Sequence, residues 1–188
     1  LVYYHPEITD LFLAKVPLDS LFSMYTANNS VVARQSICNL LGGVIAQYNE
    51  QFGAVQITVE LDAIFRFTGK AAIDPVLVSP EILSLCAYEL THFRPESYKG
   101  LLEELDFALL IRAVEYLPSK SLRPFFNLMS VLLSLFSYKF TRWFDLGSVI
   151  RVFDEEVSQE TLLGFLSFIE DSIYAQPSPT AQYLRSVS

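Results

Sequence analysis

Histidine and cysteine are nearly missing from this chain, each occurring only twice in 188 residues. His5 and His92 stand far apart, and neither has a Cys, Asp or Glu pattern around it of the kind that holds a metal ion. Cys38 and Cys86 fall inside apolar helical patterns, so both read as small core residues and not as a disulfide framework. Unpaired cysteines in turn point to a reducing compartment, cytoplasmic or nuclear.

Positive charge is also short. Thirteen Lys and Arg face 21 Asp and Glu, for a net charge of −8, and the basic residues are scattered with no polybasic stretch. Phosphate binding needs clustered Lys or Arg, which argues against direct contact with nucleic acid. A basic protein segment is the complementary partner for such a surface. Charged residues of either sign make up only 18% of the chain. Either a partner covers much of the surface, or Ser, Thr, Asn and Tyr solvate it.

Long apolar runs are lacking too. The stretch from Pro124 to Tyr138 carries no charge but spans only 15 residues, short of the roughly 17–25 a membrane helix needs. It reads as a helix buried between neighbours. The first residues show no basic, hydrophobic, small-residue succession of a signal peptide. The start at Leu1 without Met predicts a processed chain or a piece of a larger protein.

Motifs for chemistry are likewise absent. Gly42-Gly43 has no Lys-Ser or Lys-Thr after it, and no GxGxxG occurs. The acidic groups Glu103, Glu104, Asp106 and Asp154, Glu155, Glu156, Glu160 read as solvation and capping. These absences predict a protein that is not an enzyme and uses no cofactor or metal.

What the chain does have is apolar bulk in a periodic arrangement. Apolar residues make up 52% and aromatics 14%, ample for a folded core. Leu18-Asp19, Leu61-Asp62, Leu105-Asp106 and the related Phe144-Asp145 recur at intervals of 43, 44 and 39 residues. Ser30, Ser79, Ser119 and Ser158 follow those Asp residues by 11, 17, 13 and 13 positions, each ahead of a longer apolar segment. Asp and Ser are helix-capping residues, so each unit reads as a short, a medium and a longer helix.

The pattern predicts helices over about 6–15, 19–27, 31–48, 63–72, 79–93, 95–104, 106–116, 121–138 and 160–174. A segment near 50–58 is expected to be irregular or a short helix, and an element is expected near 139–143 ahead of Asp145. Gly42 and Gly43 in mid-helix predict close approach by an adjacent helix.

Laid out in this way, residues 8–174 resemble the armadillo-repeat family, and HEAT-like units fit nearly as well. The resemblance implies an all-α, right-handed α-solenoid of about four armadillo-like three-helix repeats. The domain covers 1–174, with a flexible C-terminal tail over 175–188. In that family the third helices line an inner groove, where an Asn often holds a peptide backbone. Asn39 and Asn127, nine and eight residues after their Ser caps, are the matching positions here. The second and fourth units offer Ala87 or Tyr88 and Leu166 or Ser167 instead.

The aromatic load adds a second contact candidate, because Tyr and Trp bury area while keeping a polar handle. The Tyr138–Phe144 stretch with Lys139 and Arg142 is the preferred patch. The expected protein-binding residues are therefore Asn39, Tyr88, Asn127, Tyr138, Arg142 and Trp143. The expected function is a non-catalytic protein-binding scaffold or adaptor. The alternatives are a structural or oligomerising subunit, joined through open repeat ends, and a helical regulatory subunit of an enzyme.

Overall fold

Polar residues at the breaks in the apolar pattern start most of the helices. A computed structural model describes residues 15–52, 58–143 and 158–175. In it, the Ser30 hydroxyl accepts from the Ala33 amide at 3.4 Å, Ser79 from Ile82 at 3.2 Å and Ser158 from Thr161 at 3.2 Å. Asp106 accepts from two amides, those of Ala108 at 2.8 Å and Leu109 at 3.1 Å. Each bond satisfies a first-turn donor that has no partner within its own helix.

The elements are α1 Leu18–Ala27, α2 Val31–Phe52, α3 Val59–Ile73, α4 Pro80–His92, α5 Lys99–Glu104, α6 Phe107–Ala113, α7 Ser119–Trp143 and α8 Gln159–Ala175. No strand occurs among the described residues, and the fold is all-α. No helix among them is long and apolar enough to cross a membrane.

Several expected boundaries shift. Asp19 lies inside the first turn of α1, which starts after Pro17 without a side-chain cap. Asp62 does not cap a helix either. Thr58 caps α3, its hydroxyl accepting from the Leu61 amide at 3.3 Å, and Asp62 instead binds Arg66 one turn on. The reason is periodicity: Leu61, Ile64, Phe65 and Thr68 form one buried stripe, so the helix gains by starting a turn earlier. Residues 95–98 form a turn ahead of α5, and α6 ends at Ala113, with Val114 to Tyr116 in a turn. Ser119 is the first residue of α7, which runs on to Trp143 past a non-helical residue, Phe136, at φ −131°, ψ 35°. The expected helix over 6–15, the start at Asp145 and the tail beyond Ala175 lie outside the described residues. So does most of the irregular segment near 50–58.

The helices opened by the four serines are neighbours in chain order: α2 packs on α4, α4 on α7, and α7 on α8. The shorter helices lie beside this series, α1 against α2 and α3, α3 against α4, α5 and α6, and α6 against α7. One core runs through them, with Leu41, Ile64, Phe65, Leu83, Phe125 and Phe126 fully buried. Each such side chain contributes about 1.5–3 kcal/mol through area removed from water.

A polar joint fixes the start of the series. Arg34 donates to the carbonyls of Tyr25 (3.2 Å), Asn28 (2.7 Å) and Val76 (2.7 Å), and its guanidinium lies 5.1 Å from the centre of the Tyr25 ring. The Tyr25 hydroxyl donates to the Leu77 carbonyl at 2.7 Å and lies 3.1 Å from the Ser79 hydroxyl. The α1–α2 turn is thereby pinned to the loop that leads into α4, which sets how α2 and α4 face each other.

Candidate functional site

The stripe that α2 turns into the core, Ile37, Leu41, Val44 and Ile45, leaves Asn39 exposed on another side. Gly42 lies close by in sequence, and a Cβ there would stand 3.1 Å from Leu85 Cδ2 of α4. The expected close approach of a neighbouring helix is therefore found at Gly42, and its missing side chain leaves a recess between α2 and α4. That recess, about 440 Å³, is lined by Cys38, Asn39, Gly42, Ala46, Pro80, Glu81, Ser84, Leu85 and Tyr88. The Tyr88 ring is held by stacking on His92, with centroids 4.0 Å apart, and His92 Nδ1 lies 3.0 Å from the Tyr88 carbonyl.

Ser84 also lines a second recess, of about 820 Å³, formed with α7 and α8. Its other walls include Arg123, Asn127, Ser130, Glu160, Gly164, Ser167 and Asp171. Ser130 and Asp171 continue into a third hollow, of about 520 Å³, which ends at Tyr174. The three hollows share residues and form one track across α2, α4, α7 and α8.

Asn39, Tyr88, Asn127 and Ser167 all line this track. Of the paired candidates, Ala87 is buried at 4% exposure and Leu166 stands outside the track. Tyr138, Arg142 and Trp143 belong to the last turns of α7, and their side chains lie outside the described residues. The sequence reading missed Ser84, Arg123, Ser130, Glu160 and Asp171. A signal for them existed: each is three, four or seven positions from an identified residue on the same helix, the repeat of one helical face.

Charge in the track is unbalanced. Among the described residues, Glu81, Glu160 and Asp171 share the track with the single cation Arg123. Arg123 pairs with Glu160 at 3.3 Å, both side chains mostly exposed, so the pair holds little energy. Glu81 and Asp171 have no ion-pair partner among the described residues.

The track offers amides, hydroxyls and carboxylates but no assembled nucleophile. Cys38 reaches its wall but is 2% exposed. Burial first, and the Glu81 charge second, push its thiol up to about 12, which keeps it protonated and a poor nucleophile. No group of three His, Cys, Asp or Glu that could hold a metal ion is found among the described residues. Side-chain amides and hydroxyls on neighbouring helices can donate to and accept from the main chain of an extended peptide, and free carboxylates can meet its cations.

Comparison of the chain with protein-family models, with curated proteins and with solved structures finds no match.

Proposed function

We propose that the protein is a non-catalytic scaffold, an armadillo- or HEAT-like α-solenoid that binds an extended, basic segment of a partner protein along the track on α2, α4, α7 and α8. The single observation that carries this reading is the shared register: the side chain eight or nine residues after each of Ser30, Ser79, Ser119 and Ser158, namely Asn39, Tyr88, Asn127 and Ser167, lines one track. Offsets that agree within one residue on four long helices are what stacked copies of one unit produce. The packing of α2 on α4, α4 on α7 and α7 on α8 supports the same arrangement. Three carboxylates against one guanidinium favour a cationic ligand. An intracellular setting, cytoplasmic or nuclear, belongs to the proposal and is supported by two buried, unbridged cysteines.

The test is fluorescence anisotropy with two labelled, unstructured probes, one of alternating Lys and Ser, the other of alternating Glu and Ser. The Lys probe binds more tightly, and added salt weakens it. The double substitution Asn39→Ala with Asn127→Ala removes two side-chain amides worth about 1 kcal/mol each and lowers affinity roughly tenfold or more. Equal binding of both probes, or a double variant that binds as well as the parent, would falsify the reading.

A further inference from the structure

A face of α8 next to the track remains exposed among the described residues. On α8, Thr161, Phe168 and Ser172 are buried, and Phe165 packs on the core with its ring 5.4 Å from that of Phe126. One residue further along at each step stand Leu162, Leu166, Ile169 and Ile173, a four-three-four spacing that lays them in a second stripe about 100° round the helix. Leu162, Leu166 and Ile173 are 45%, 52% and 43% exposed, while Ile169 is half-buried against the core. Apolar residues spaced four and three apart form the seam that receives another helix, and a contiguous exposed stripe of this kind marks a contact surface.

The charges beside the stripe select the occupant. Of the acids on α8, Glu160 and Asp171 line the track and Glu170 stands beside the stripe, and the helix carries no Lys or Arg. Glu160 already meets Arg123, while Glu170 is exposed with no cation beside it among the described residues. A second copy laid on the same face would set Glu170 against Glu170 with no base from either α8, in a chain of net charge −8. A helix with an apolar stripe between Lys or Arg flanks fits both features. We propose that the outer face of α8 docks a basic amphipathic helix of a partner protein, with Leu162, Leu166 and Ile173 as the seam and Glu170 as the charge contact.

The stripe shares no residue with the lining of the track, so the two proposals are tested by different variants. The test is anisotropy with three labelled peptides. The first forms a helix with Leu spaced three and four apart and Lys on the flanks, the second has the same Leu with Glu flanks, and the third scrambles the first so that no stripe forms. The Lys-flanked helix binds about tenfold or more tighter than either of the others. Leu166→Asn removes one buried leucine from the contact and weakens it about tenfold or more. Glu170→Lys narrows the preference for Lys over Glu flanks, by up to about fivefold for one exposed pair. Leu166 and Glu170 are exposed in the free protein, so both variants keep the parent's helical circular dichroism. Leu166→Asn also leaves binding of the unstructured Lys-Ser probe unchanged, which separates this face from the track. The proposal is overturned if the Lys-flanked helix fails to bind, if the Lys- and Glu-flanked helices bind alike, or if Leu166→Asn has no effect on them. A dimer of the parent that dissociates in the Leu166→Asn variant would assign the face to a second copy and overturn it equally.

Discussion

Glu89 is fully buried, and its only hydrogen-bonding neighbour among the described residues is Thr68, whose hydroxyl lies 2.8 Å and 3.1 Å from the two carboxyl oxygens. The same hydroxyl is 3.0 Å from the Phe65 carbonyl. A hydroxyl has one proton to give. With Glu89 neutral, the acid donates to Thr68 and Thr68 donates to the Phe65 carbonyl, and all three groups are satisfied. With Glu89 ionised, a buried charge has one donor at most. Burial accordingly holds its pKa well above the usual carboxylate range, with Thr68 opposing weakly. In the unfolded chain the group titrates near about 4.3. The folded state therefore holds an extra proton above that pH. This stabilisation is complete below the unfolded pKa and is lost as pH rises towards the folded one, at up to about 1.4 kcal/mol per pH unit. Glu89→Gln keeps the neutral shape, so its stability relative to the parent should increase between pH 5 and pH 8 in urea titrations. Parallel pH dependence in the two proteins would remove the argument. The sequence held a trace of this burial: Ile82, Cys86 and Glu89 fall on one helical face, which placed a carboxyl in a row of core positions. Its partner Thr68 comes from a different helix, and no local pattern links the two.

Between elements, α3 and α5 come close at two glycines. A Cβ on Gly69 would lie 2.6 Å from the Leu101 backbone carbonyl, and one on Gly100 would run into the Asp62 carboxylate and Arg66. Arg66 then bridges the two helices, binding Asp62 at 2.7 Å and Glu103 at 2.7 Å across the gap. These ion pairs are about two-fifths exposed and add little by themselves, so backbone proximity matters more than charge here. Gly69→Ala gains helix propensity of about 1 kcal/mol but must push a backbone carbonyl aside. The net effect should be destabilising by about 1–3 kcal/mol, seen as a lower midpoint in thermal or urea unfolding. A variant as stable as the parent would show that α5 can shift freely. Neither glycine stood out in the sequence, because only the neighbouring helix gives them meaning, whereas Gly42 lay in a long apolar helix where a packing reason could be expected. Starts were legible where the cap stood alone, as at Ser79-Pro80-Glu81 and Asp106. The start was misplaced at Asp62, because burial of the turn before it makes Thr58 the cap of α3.

At the scale of the whole molecule, the order of the long helices was readable from the recurring Asp and Ser pairs, and so were Asn39, Tyr88 and Asn127 as candidates. The last helix offered Leu166 or Ser167 with nothing in its sequence to choose between them. The rest of the track was not readable, because Ser84, Arg123 and Asp171 come together only through the spacing between axes, which leaves no mark within a single helix. Contacts of the long helices follow chain order, so stability should be distributed along the series and not shared evenly. Among the described residues, α4 is packed by α2, α3 and α7, whereas α8 has its main contacts with α7 alone. Loss of α8 costs chiefly the burial of Phe168 and the partial burial of Phe165 and Ile169, while loss of α4 would expose Ile82, Leu83, Cys86 and Leu90 together with their neighbours. In a chain stabilised by such neighbour interfaces the end helix opens without the centre. Native-state hydrogen exchange should find the amides of α8 opening at a lower free energy than those of α4, with exchange at least about tenfold faster. A ligand helix on the outer face of α8 would narrow that gap, since binding to the closed form alone adds to its protection. Equal protection of α4 and α8 in the free protein would mean that the molecule opens only as one unit, and the neighbour-by-neighbour account of its stability would then have to be abandoned.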